Sequence, residues 1–169
     1  MKMPGWLIIG ILLFGIMSAG YAKKLPELKL KDTNGKTVVT SEVSNQGKPI
    51  IISFFALWCK PCLRELTAIN EVYEKWQKET GVKLIAVSID DSRSTDKVLA
   101  EMNARGFDWE VWLDVNSAFK RAMNVNNIPH VFVIDGNGNI VWQHVSYTEG
   151  SEEEIIEVVR KLNAGQEIK

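Results

Sequence analysis

Two cysteines are all the chain contains, and both fall within one helical turn, in the stretch Trp58-Cys59-Lys60-Pro61-Cys62. Thiolates are nucleophiles and soft metal ligands, and two at this spacing can also close on each other as a disulfide. A purely stabilising disulfide fits the spacing badly, because closing so short a loop removes little entropy from the unfolded chain. Thiol-disulfide exchange fits better. A cysteine at the start of a helix meets unsatisfied backbone N–H groups and the positive end of the helix dipole, which stabilise its thiolate and lower its pKa. Cys59 is expected there as the exposed nucleophile, and Cys62, one turn further in, as the buried resolving thiol that attacks the mixed disulfide. Pro61 suits a first helical turn, where its missing N–H costs nothing. Lys60 adds a nearby cation, and Trp58 is expected to cover one side of the nucleophile.

The elements around the pair place it. Residues 49–57, PIIISFFAL, form a continuous apolar run expected of a strand buried on both faces. From 61 to 80, Leu63, Leu66, Ile69, Tyr73 and Trp76 recur three or four apart with charges between them, a helix that Gly81 stops. Upstream, residues 27–40 alternate polar and apolar around Asn34-Gly35, which predicts an edge hairpin with a type I′ turn. Downstream the pattern predicts a strand at 82–90 and a helix at 94–105 with Val98, Leu99 and Met102 inward. A strand at 109–113 and a short helix at 117–123 follow, then a hairpin of strands 131–134 and 140–143 about a turn at 135–139. A last helix at 151–163 has Glu152, Glu153 and Glu154 in its first turn and Arg160 and Lys161 in its last, as the dipole prefers. This order implies an α/β fold with a mixed sheet and puts the cysteines at its carboxyl edge, where open α/β sheets collect their active sites.

The 169 residues, 46% hydrophobic and 24% charged, fit one globular domain over 23–169. A formal charge of −1, with Lys and Glu interleaved, offers no basic field for nucleic acid. Residues 1–22 differ: after Lys2 no charge occurs before Lys23, and an apolar centre is followed by Ser18-Ala19-Gly20-Tyr21-Ala22. This is expected to be a secretion signal cleaved after Ala22 or, alternatively, an anchor tethering the chain to the membrane through residues 3–22. Either way the body of the protein is expected outside the cytoplasm.

Taken together, WCKPC after an apolar strand, Ile128-Pro129 before the strand VFVID, and DGNGNIV after it resemble the thioredoxin superfamily, specifically its extracytoplasmic TlpA and ResA-like thiol-disulfide oxidoreductases. The resemblance implies a thioredoxin-like three-layer α/β/α fold with a mixed central sheet, an N-terminal β-hairpin and a helical insertion near 94–105. It implies a cis peptide bond at Pro129, lying against the cysteines, and a substrate chain that pairs with the backbone of Ile128. Glu65, three residues past Cys62, corresponds to a glutamate that influences cysteine titration and proton transfer at the buried thiol. Three positions depart from the family pattern: Ser53 stands where thioredoxin has a buried aspartate, Thr67 where many relatives have a proline, and His130 where a threonine is common. The implied partners are protein disulfide or dithiol substrates and a membrane thiol donor, with net reduction of targets such as apocytochrome cysteines in the periplasm. No cofactor beyond the Cys59-Cys62 disulfide and no metal are expected. Two other chemistries remain open on the residues: a copper(I) chaperone using Cys59, Cys62 and His130 or His144, and a peroxiredoxin-like peroxidase, although the PxxxTxxC context usual around a peroxidatic cysteine is absent.

Overall fold

In a computed structural model, residues 23–168 are described. The elements run β1 (Lys29–Asp32), β2 (Thr37–Val39), β3 (Ile50–Phe55), α1 (Lys60–Thr80), β4 (Lys83–Ser88), α2 (Thr95–Ala104), β5 (Glu110–Leu113), α3 (Ala118–Ala122), β6 (His130–Ile134), β7 (Ile140–Val145) and α4 (Glu152–Asn163). Each expected element is present, with ends shifted by a residue or two. The residues expected to be a signal or anchor lie outside the described part. Among the described residues no helix is long and apolar enough to cross a membrane.

Among the described residues seven strands form one sheet in the order β2-β1-β5-β4-β3-β6-β7. β3, β4 and β5 are parallel, while β1, β6 and β7 join antiparallel. All six residues of β3 are buried, because both of its faces are covered. Side-chain alternation sends Ile51 and Phe55 into a core shared with α1, α2 and α4, and Ile50, Ile52 and Phe54 into a second core with Phe119 and Met123 beside α3. That is the three-layer arrangement expected, with the mixed sheet in the middle.

Two expectations need correction. The β1–β2 connection is not a type I′ turn, which would need positive φ at both central residues. Only Gly35 has it, at 79°. Gly35 N–H donates to Asp32 O at 3.0 Å and Asp32 N–H to Lys36 O at 2.9 Å, a type I turn closed by a glycine bulge. The Asp32 carboxylate decides the geometry by accepting the N–H groups of Asn34 and Lys36, at 2.9 and 2.8 Å. The β6–β7 turn repeats the design around Asp135 and Gly138. Leu99, expected inward, is exposed, because α2 touches the core only through Val98 and Met102, four residues apart.

Candidate active site

Cys59 is the N-cap of α1. Its backbone is extended, its N–H donates to Ala56 O at 3.0 Å, and its Sγ accepts the Cys62 N–H at 3.2 Å. Pro61 falls in the first turn, as its lost N–H requires. Cys59 and Cys62 are joined by a disulfide with Cα atoms 5.3 Å apart. On reduction the Cys62 N–H and the positive end of the α1 dipole favour the Cys59 thiolate. Cys62 is fully buried, as expected, and Cys59 exposes only 5% of its surface. The nucleophile is thus more enclosed than expected, because both sulfurs dock into the apolar core with Phe55 and Leu66.

Trp58, beside it, is 70% exposed, so packing in the core does not account for it. Lys60 is exposed and Pro61 half-buried. Lys60 and Leu63 line an open groove of about 890 Å³ whose opposite wall includes Tyr147, Thr148 and Glu152. The Ile128-Pro129 bond is cis. β6 runs antiparallel to β3 with His130 opposite Phe54, which carries Pro129 to the same sheet edge as the Phe55–Cys59 loop. Pro129 is buried and its carbonyl accepts the Ser146 N–H at 2.9 Å, while Ile128 is half-buried between the two cores.

Glu65 is 1% exposed, and its Oε2 accepts the Ser53 hydroxyl at 3.0 Å. Burial pushes its carboxyl up to about 7; the Ser53 hydrogen bond opposes that rise and the negative charge of Glu152 adds to it. Glu152, the first residue of α4, has one buried oxygen, Oε2, with no hydrogen-bond partner. Glu65 is therefore a protonatable group near neutrality in the helical turn that follows Cys62. Ser53, noticed in the sequence only as a departure, is its partner, and the one polar residue inside an otherwise apolar strand was the available signal.

His130 lies away from the pair. Its ring stacks on Phe132 with centroids 4.3 Å apart, in the core on the sheet face opposite α1, and Nε2 hydrogen-bonds Gln143 Oε1 at 3.1 Å. Burial pushes its pKa down. His144 stacks on Trp142 and lies 3.7 Å from Glu154. Among the described residues no three His, Cys, Asp or Glu side chains gather as a metal site. The ligand set of the copper alternative is not brought together.

A disulfide between the N-cap and third residue of the helix that follows a doubly buried strand, with a cis-proline at the same sheet edge, defines the thioredoxin-like class. The chain belongs to the AhpC/TSA family, which it matches over residues 21–143. It is 29% identical over 140 residues to the thiol-disulfide oxidoreductase ResA of Bacillus thuringiensis, covering 83% of this chain and 77% of that protein. ResA of Bacillus subtilis is 29% identical over 137 residues, 81% and 74% of the two chains. The solution structure of an uncharacterized thioredoxin-like protein from Porphyromonas gingivalis superposes with a TM-score of 0.75 at 58% identity, covering 83% of this chain and 92% of the other. Within the thioredoxin-like fold, then, this is a ResA-like chain.

Proposed function

We propose that the protein is a dithiol-disulfide oxidoreductase acting on protein disulfides outside the cytoplasm, in the reducing direction. The Cys59 thiolate attacks a substrate disulfide, giving a mixed disulfide and releasing one substrate thiolate. Cys62 then attacks Cys59 Sγ, the second substrate sulfur leaves as a thiol, and two electrons have passed to the substrate as the Cys59-Cys62 disulfide forms. Glu65, half protonated near neutrality, takes the proton that Cys62 must lose. Trp58, Lys60, Pro61, Ile128 and Pro129 surround the docked substrate chain.

The observation that carries this is the Cys59-Cys62 disulfide at the N-terminus of α1, with the buried Glu65–Ser53 pair one turn on. The ResA relatives support the reaction class. The uncharged apolar run before Lys23 supports a periplasmic location, soluble or tethered to the inner membrane. Recharging by a membrane thiol donor, and apocytochrome cysteines as targets, follow from the ResA-like resemblance. Replacing Cys59 by Ser should abolish insulin reduction; retained turnover would remove the assigned nucleophile.

The AhpC/TSA match favours one second reading, peroxide reduction by the same pair. The Cys59 thiolate would attack one peroxide oxygen, breaking the O–O bond and giving a sulfenic acid while the other oxygen leaves as hydroxide. The Cys62 thiol would condense with the sulfenic acid to form the disulfide and a water. Hydrogen peroxide consumption faster than insulin reduction would favour that chemistry.

A further inference from the structure

The turn that delivers Cys59 to its helix is held from a neighbouring strand. Leu57 and Trp58 form the middle of the turn closed by Cys59 N–H and Ala56 O. The Leu57 N–H points out of that turn to Asp90, whose carboxylate oxygens accept it at 3.0 and 3.3 Å. Asp90 follows the end of β4 and is 7% exposed. Its orientation is fixed in turn, since the Ser88 hydroxyl donates to Asp90 Oδ2 at 2.9 Å while accepting the Asp90 N–H at 3.1 Å. Ile89 N–H donates to Phe55 O at 2.9 Å, which locks the end of β4 to the end of β3 just before the turn. Among the described residues Asp90 forms no ion pair.

A buried carboxylate is costly unless its oxygens are hydrogen-bonded, and a negative charge held against Leu57, two residues before the nucleophilic cysteine, opposes the thiolate. The arrangement makes sense if what it contributes is the grip. We propose that Asp90 is a positioning residue for the redox pair: by holding the Leu57 N–H it fixes the turn from Ala56 to Cys59 and keeps Cys59 Sγ against the Cys62 N–H. This rests on Cys59 being the nucleophile. Asparagine in its place offers the same N–H an oxygen without the charge, with the Ser88 hydroxyl turned to accept from its amide, so grip and charge can be separated.

The experiment follows the pH dependence of iodoacetamide alkylation at Cys59 in the reduced full-length protein, with the modified residue identified by mass spectrometry. Asp90→Ala should raise the Cys59 pKa by on the order of one unit, about tenfold less thiolate at a pH below both values. Asp90→Asn should return the profile to the parent's or below it. An unchanged profile in Asp90→Ala overturns the proposal, as does a shift of the two variants together in either direction or a downward shift in Asp90→Ala. If Asp90→Ala does not fold, Ser88→Ala replaces it, since it frees the carboxylate without removing it: an upward shift supports the grip and an unchanged profile overturns it. Alkylation needs no substrate turnover, so failure here is distinct from failure of Cys59→Ser to stop insulin reduction.

Discussion

The Ser53 hydroxyl and the Glu65 carboxyl meet at 3.0 Å across the interface between β3 and α1, both shut off from water. A carboxyl raised from 4.5 to about 7 is protonated in the native state where the unfolded chain has already ionised. Between these values the native state binds more protons, so stability falls as pH rises through the window and the loss is complete above it. The size is on the order of 3 kcal/mol. Glu65→Gln should flatten that decline, which urea unfolding of the oxidised protein between pH 5 and 8 measures. A parallel decline in parent and variant would mean that Glu65 ionises normally. In the reduced enzyme the same variant should slow insulin reduction at least tenfold at neutral pH, in line with loss of a general base.

The two neighbours of Glu65 push it in opposite directions, which gives paired predictions. Ser53→Ala removes a hydrogen bond to the ionised form, so the Glu65 pKa should rise further, with about 1–3 kcal/mol of stability lost from the buried pair. Glu152→Gln removes a negative charge, so it should fall. Infrared titration of the Glu65 carboxyl, identified by its absence in Glu65→Gln, reads both shifts. Movement in one common direction would contradict this electrostatic account.

Much of this site was legible in the sequence because its signals are local. The cysteine spacing, Pro61 in the first turn and the stop at Gly81 each sit within a few residues of what they control, and α1 forms from Lys60 to Thr80 accordingly. The cis-proline came from resemblance, and the structure has it at Ile128-Pro129. What escaped depends on register between elements. Ser53 meets Glu65 across 12 residues and Asp90 meets Leu57 across 33, pairings fixed only once β3 lies beside β4 and beneath α1. The burial of Cys59 and the placing of His130 on the far sheet face are likewise set by packing and not by spacing. The type I′ expectation failed for a local reason, since Asp32 captured the turn that Asn34-Gly35 alone would have made.

His130 should give acid sensitivity of the opposite sign. Burial holds its pKa below the ordinary 6.5, so below that value the unfolded chain binds the extra proton. Stability from this group is present above pH 6.5 and is lost as pH falls toward the depressed native value. His130→Phe keeps an aromatic ring to stack on Phe132 and removes both the titration and the buried, unpartnered Nδ1. It should lose less stability than the parent between pH 7 and 5 in urea unfolding. An equal loss would show that His130 is protonated in the native state as readily as in the unfolded chain.

Trp58 tests where substrate docks. A tryptophan 70% exposed beside the nucleophile contributes little to the fold, so Trp58→Ala should change stability by no more than about 0.5 kcal/mol. Tryptophan is among the residue types enriched at the anchor points of protein interfaces, and truncating one that serves as an anchor typically costs more than about 1 kcal/mol of binding. The variant should therefore lose about fivefold or more in kcat/KM toward a protein disulfide. Toward a small disulfide such as oxidised glutathione, which is too small to cover the indole and the groove together, it should lose much less. Equal losses on both substrates would assign Trp58 to the chemistry of Cys59 itself, and no loss on either would leave the indole outside the docking surface.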